Sequence, residues 1–337
     1  MKRIFTLSIS LMFCVLLTKG QDIHFSQFYA SPLTLNPALT GKTPCTYRFS
    51  AIYRNQWSSV VGPSSYQTYS VAFDAGILKG KLNDNIVGVG LMMFNDKSGD
   101  GSLTNMSAMA SVAYHQKLAS DDHYLSIGFQ AGYVQKKVDE SKLIFENMID
   151  GNGGVTQPSG ETFIDEKFNY FDFNAGFHWS STFTDRFHAY AGFGYFHIGE
   201  PVETFLGDQS NVLNARYMAH GGVKVGFSDK IVLLPAVQWQ MQGEGSVSEL
   251  MAGASLGFAL GDDSNFYLGG YFRNHKDAVI LSTGIDFKNL QLGLSYDINI
   301  SDLSVASNSK GGPEISLSYF GCIAEKEKSR IIDCPRF

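Results

Sequence analysis

The sequence is short of charge: only 17% of its 337 residues are Asp, Glu, Lys or Arg, against roughly 25% in an average soluble domain. It has no basic stripe, and its formal balance is acidic at −6. Both features exclude a nucleic-acid binder. Past residue 20 it has no run of about 18 uncharged apolar residues, which excludes a helical membrane protein. Cysteine is scarce, at four residues. No CxxC and no Cys/His cluster at zinc spacing occurs, so nothing points to a metal or a cofactor. Aromatic residues, in contrast, reach 13%, which excludes intrinsic disorder. Glycine, at 35 residues, stands above average usage. Low charge, many aromatics and glycines, no long apolar run and a mean hydropathy of −0.06 together point to a transmembrane β-barrel. Its alternating strands average to neutral hydropathy.

The first residues form an export signal. Lys2 and Arg3 supply the positive region, Ile4 to Leu17 the apolar core, and Thr18-Lys19-Gly20 the small residues before a cleavage site at Gly20/Gln21. Cys14 follows the bulky Phe13 and so does not fit a lipoprotein signal. Removing residues 1–20 takes the formal charge from −6 to −9. Cys45, Cys322 and Cys334 remain, enough for one intramolecular bridge in an exported protein.

Period two dominates the rest. Leu290, Leu292, Leu294, Tyr296, Ile298 and Ile300 alternate without error with Gln291, Gly293, Ser295, Asp297, Asn299 and Ser301. A barrel strand needs about 9–11 residues to cross a bilayer, whereas soluble strands average nearer five or six. The pattern returns in Leu125–Tyr133, Val279–Phe287 and Ile315–Phe320. About 14 strands are predicted, near 45–57, 66–78, 85–95, 102–117, 122–136, 168–181, 186–200, 215–228, 230–242, 246–260, 264–275, 277–288, 289–301 and 312–323. The apolar face should meet lipid and the small, polar face the lumen. The long connections, 58–65, 137–167, 201–214 and 302–311, all fall on one end, as expected for outer loops; the opposite connections are short.

Four regions follow: signal peptide 1–20, an N-terminal segment 21–44, a barrel 45–323 and a periplasmic tail 324–337. Segment 21–44 carries Phe25, Phe28, Tyr29, Leu33, Leu35 and Leu39 with three prolines. It is too apolar for a free tail, and a short helix or turns should pack in the lumen or at the periplasmic rim. Closing the barrel brings Cys45 near Cys322, and a bridge from Cys334 to one of these two is expected.

Catalysis finds little support. No GxSxG or HExxH occurs. His178, His188, His197, His220 and His275 are isolated in sequence, and an interfacial aromatic girdle is the expected place for them. The girdle should also hold Trp57, Tyr66, Tyr69, Trp179, Tyr195 and Trp239. Gly192 and Gly194 are expected to be small lumen-facing positions, since no helix follows to make a phosphate loop.

Several runs resemble the PorP/SprF family. Gln27-Phe28-Tyr29, Ser31-Pro32 and Leu35-Asn36-Pro37-Ala38 resemble its start, and Tyr53-Arg54-Asn55-Gln56-Trp57 resembles its most recognisable motif. Phe94–Gly99, Leu294–Asp297, Glu314–Tyr319 and the ending Cys334-Pro335-Arg336-Phe337 are similar to further family segments. The resemblance implies a non-catalytic outer-membrane component of type IX secretion in Bacteroidota, with gliding motility in some members. It implies as partners the periplasmic ring lipoproteins and a peptidoglycan-linked protein, or the C-terminal domain of a secreted adhesin. It carries no catalytic residues. The expected role is docking or anchoring in outer-membrane lipid, through loops 137–167 and 201–214 outside and through 21–44 and 324–337 on the periplasmic side. The alternatives are a passive porin-like channel and a barrel hydrolase.

Overall fold

The computed structural model describes residues 22–323 apart from 83, 119–122, 151–153, 157, 159–165, 206–210, 244–246, 262, 275, 276 and 303. The leader with its cleavage point, the tail 324–337 and Cys334 lie outside the described residues. The strands are β1 (Tyr47–Gln56), β2 (Tyr66–Leu82), β3 (Asn85–Ser98), β4 (Leu103–Lys117), β5 (His123–Lys137), β6 (Lys167–Thr184) and β7 (Phe187–Phe196). They continue as β8 (Arg216–Gly226), β9 (Ile231–Gln242), β10 (Val247–Gly261), β11 (Ser264–Arg273), β12 (Ala278–Phe287), β13 (Leu290–Asn299) and β14 (Lys310–Gly321). Each pairs antiparallel with its sequence neighbours, and β1 pairs with β14, from Tyr47 opposite Gly321 to Arg54 opposite Glu314. The result is a closed 14-strand barrel with no free sheet edge.

The alternation in the sequence becomes the two faces of this sheet. On β13, Leu290, Leu292, Leu294 and Tyr296 point outward, while Ser295 and Asp297 are buried inside. Outward apolar side chains stand far more exposed than water would allow, with Phe171 at 69% and Leu91 at 64%. Lipid is the solvent that accommodates such a continuous apolar belt. Aromatic pairs rim it at both ends. Tyr53 stacks on Tyr69, and Trp57 meets Tyr66 edge-on towards one end. Tyr47 packs with Phe73, and Trp179 with Phe183, towards the other. All connections at the second end are short, none longer than five residues. The first end carries 57–65, 138–166, 197–215 and 300–309. The two are called here the long-loop end and the short-turn end. The largest boundary differences are of four residues: β2 runs on to Leu82 through an irregular register after Ile77, and β7 stops at Phe196.

Residues 22–44 fill the lumen as a plug. It contains 3-10 turns at Phe28–Ala30 and Pro37–Leu39 around a single α-turn at Pro32–Leu35. Proline opens each of the last two, where its missing N–H has no intrahelical partner to lose. The inner wall is not uniformly small and polar, as the strand pattern predicts. Apolar inward residues gather where the plug needs them. Leu33 packs on Ala72, Met92, Met109 and Val134, while Phe28, Leu35 and Leu39 pack on Phe196, Met218, Met251, Tyr271 and Ile280. Burying a leucine of this kind contributes about 1.5–3 kcal/mol. Glycine matters where the plug backbone touches the wall. Gly128 on β5 lies opposite Gly176 on β6, and a Cβ on Gly128 would collide with the Pro37 carbonyl. A Cβ on Gly88 would likewise strike the backbone of Thr40.

Among the described residues the two cysteines meet at the seam of the barrel. Cys45 and Cys322 form a disulfide, with Cα atoms 4.5 Å apart. They flank the β1–β14 seam just beyond the Tyr47–Gly321 pair, so barrel closure itself juxtaposes them. Cys334, the expected partner of one of these two, lies outside the described residues.

Candidate functional site

The plug runs the length of the barrel. Asp22 lies against Phe196-end residues of the long-loop half, and Cys45 sits at the short-turn end. Of the two places expected for segment 21–44, the lumen and the periplasmic rim, residues 22–44 lie in the lumen, with Gln27, Asn36, Ala38, Thr40 and Thr43 at 0% exposure. Three groups of inward polar side chains hold it.

The first is centred on Arg54, the cation of the Tyr53–Trp57 run. Period two sends Tyr53 out to lipid and Arg54 in. Its guanidinium donates to the Ser26 hydroxyl at 3.1 Å, the His24 carbonyl at 3.3 Å and the Asp297 carboxylate at 3.1 Å. Glu314 is 3.5 Å away. Arg273 on β11 donates to the same Ser26 hydroxyl at 2.8 Å and pairs with Asp297 at 3.1 Å. The Glu314 carboxylate in turn accepts the backbone N–H of Ser26 at 2.9 Å and of Gln27 at 2.6 Å. Two cations and two carboxylates thus enclose one serine of the plug. Gln56 accepts from Arg54 at 3.2 Å, Asn55 is half-buried, and Trp57 turns the chain at the rim with φ of 60°.

The second group holds the short-turn half. Asp74 accepts the Gly41 N–H at 2.7 Å and a two-pronged contact from Arg48 at 2.9 and 2.8 Å. His115 Nε2 reaches the Thr40 carbonyl at 2.8 Å, which directs its Nδ1 to accept from the Ser126 hydroxyl at 2.7 Å. Asn36 donates to the Phe177 carbonyl at 2.9 Å and meets His220 at 3.1 Å. Lys42 contacts Ser180 and His178.

The third group holds the start of the plug. His197 lies between Asp22 at 2.7 Å and Asp172 at 3.0 Å, and Arg216 is 3.5 Å from Asp22. Burial disfavours charge on both Asp22 and His197, but their mutual contact reverses this. Arg216 and His197 hold the Asp22 carboxyl well below the usual carboxylate range. Asp22 and Asp172 push His197 up to about 9.

This arrangement relocates the histidines. His178, His188, His197 and His220 are buried inside the barrel, not in the girdle; His275 lies outside the described residues. Parity in the sequence could have revealed this, since Asn174, Gly176, His178 and Ser180 share one phase. Ser–His contacts do exist, at Ser126–His115 and at Ser181–His123 near the short-turn end, each the first half of a nucleophile arrangement. Ser126 is buried beneath the plug, however, and the other nitrogen of His115 is committed to Thr40. Among the described residues no group of His, Cys, Asp and Glu has the arrangement of a metal site. Gly192 and Gly194 face the lumen as expected, against Asn36 and the Leu35 carbonyl.

The sequence profile of the type IX secretion system membrane protein PorP/SprF family matches residues 17–319. The chain belongs to this family. The match takes in the plug and almost the whole barrel of this PorP/SprF protein. Among solved structures, it is similar to the toluene transporter TbuX of Ralstonia pickettii, with TM-score 0.51, 10% identity and coverage of 86% of this chain and 92% of that one. It is also similar to the toluene transporter TodX of P. putida, with TM-score 0.50, 10% identity and coverage of 86% and 93%. At such identity the likeness speaks for the fold alone, that of an outer-membrane barrel. No curated protein matches the sequence significantly. Family and fold together point to the outer membrane, and the family is one of secretion proteins, not enzymes.

Proposed function

We propose that this PorP/SprF protein is a non-catalytic, plugged docking barrel of the type IX machinery. The long-loop end, with 138–166 and 197–215, holds the C-terminal domain of an exported adhesin. The short-turn end and the tail 324–337 contact the periplasmic ring lipoproteins and the peptidoglycan-linked protein. The observation that carries this reading is the occupied lumen: a barrel whose interior is taken up by its own N-terminal segment acts through its ends. The long loops supply one such end, and they are tethered to the rim. Asp139 donates its N–H to the Gly101 carbonyl at 2.8 Å, and Glu203 accepts from the Tyr170 hydroxyl at 2.6 Å. Exposed Ile144, Ile149 and Val155 give the larger loop an apolar surface for a partner.

Isolation from the native membrane in mild detergent, followed by identification of what co-purifies, tests the proposal. A large secreted surface protein supports adhesin anchoring, and ring lipoproteins support contact with the machine. A barrel that emerges alone from several detergents contradicts docking.

A further inference from the structure

At the long-loop end, the outer face of β3 to β6 carries a row of cations. Lys97 on β3 shares the outward phase of Leu91 and Met93, which are 64% and 57% exposed. Lys137 follows Phe129 and Tyr133 in the same phase on β5, and Lys167 precedes Phe171 and Phe173 on β6. The strand register aligns them. Lys97 pairs with Thr104, Thr104 with Lys137, and Lys137 with Lys167. Neighbouring strands lie about 4.8 Å apart, so these long side chains can bring three ammonium groups to one patch.

The row is electrostatically unbalanced. Like charges directly opposite each other destabilise a sheet, yet Lys137 stands opposite Lys167. Among the described residues none of the three lysines forms an ion pair. The nearby carboxylates are engaged elsewhere: Asp96 turns inward to Thr68, Asp139 pairs with Lys142, and Glu203 pairs with Lys136. Glu166, next to Lys167 in the chain, forms no ion pair with it. An anion between the ammonium groups would turn this repulsion into attraction, and lysine suits phosphate as a compact point charge.

The rows beneath identify the carrier of that anion. The next outward row holds Asn95, Met106, Gln135 and Asn169, with Gln135 donating to Asn169 at 3.0 Å. Below it stand Met93, Ala108, Tyr133 and Phe171, the edge of the lipid-facing belt. Cations, amides and apolar side chains thus succeed one another towards the membrane core, in the order of phosphate, linkage and acyl chain in a lipid. The outer face of β7 to β9 differs. At the same end its row is Tyr195, Tyr217 and Met241, without a cation, and Tyr195 stacks on Tyr217 at 5.1 Å. We infer that the β3–β6 wall binds a lipid with a phosphorylated headgroup, from the leaflet around the long-loop end, with phosphate held by Lys97, Lys137 and Lys167. Lys137 and Lys167 flank loop 138–166 directly, so the bound lipid braces the base of that loop.

The test is native mass spectrometry of the full chain in detergent, titrated with diphosphoryl lipid A and with its dephosphorylated form. The diphosphoryl lipid should bind saturably and at least about ten-fold more tightly, and equimolar inorganic diphosphate should not displace it. A lysine at a membrane surface contributes about five-fold to attraction of anionic headgroups, so K97Q/K137Q/K167Q should weaken binding at least about twenty-fold. If that variant fails to insert, Lys137→Gln alone should weaken it about five-fold. Taking the same charge from the short-turn end, with R186Q/K230Q/K288Q, should change binding by less than about two-fold. Equal losses in the two triple variants, equal affinity for the two lipids, or displacement by inorganic diphosphate would overturn the inference.

Discussion

On β13, Leu292 and Leu294 face outward at 47% and 52% exposure, while Ser295 and Asp297, just beyond them on the same strand, are buried at 7% and 4%. One strand thus presents two solvents' worth of chemistry. The outer face needs only apolar bulk, because lipid makes no directional demands. The inner face needs named partners, because each polar group withdrawn from water must be hydrogen-bonded again. Outer positions should therefore tolerate substitution within a size class, and inner positions should not.

The sharpest contrast is between adjacent residues of β1. Arg54→Met leaves Asp297 and Glu314 with less compensation and frees Ser26 of the plug. Breaking a buried ion pair from one side costs about 3–5 kcal/mol, so a loss of that order in urea unfolding from lipid vesicles is expected. Tyr53→Leu, on the outer face next door, should cost less than about 1.5 kcal/mol. Equal effects would erase the distinction between the faces.

Glycines offer a second pair. Gly88 touches the Thr40 backbone of the plug, whereas nothing lies within 4 Å of a Cβ built on Gly270. Gly88→Leu should destabilise by about 1–3 kcal/mol through overpacking and make residues 22–44 accessible to protease. Gly270→Leu should change stability by no more than about 0.5 kcal/mol. Protection of the plug in both variants would show that it does not bear on Gly88.

The smallest effect is with pH. Because His197 is raised from 6.5 to about 9, its clamp on Asp22 is fully present below 6.5 and is lost as the pH rises through about 9. The depressed Asp22 carboxyl weakens the same contact only in acid, below its ordinary value of 3.8. Hydrogen exchange at Ile23–Ser26, corrected for intrinsic rate, should quicken roughly ten-fold between pH 7 and pH 10. Exchange independent of pH would remove His197 from the clamp.

The barrel was legible because lipid imposes its demand on every second residue, so Leu290–Ile300 carries a strand by itself. The plug was legible from its apolar residues and prolines, although its place along the lumen was not. The Tyr53–Trp57 run stands out in the sequence, but the role of Arg54 does not, because Asp297 and Glu314 lie more than 240 residues away and meet it only when β14 closes on β1. Residue type alone places the histidines in the girdle, whereas their phase with the small inward residues places His178 and His220 in the lumen. Closure also decided the disulfide: the β1–β14 register sets Cys45 beside Cys322 and leaves Cys334 no part in that bridge.

The central claim is that residues 22–44 close this barrel. Planar-bilayer recording of the intact chain beside a variant lacking 22–40 tests it directly. The account predicts silence from the intact protein and a steady current from the deletion. A steady open-pore current from the intact protein would contradict it and make the chain a channel.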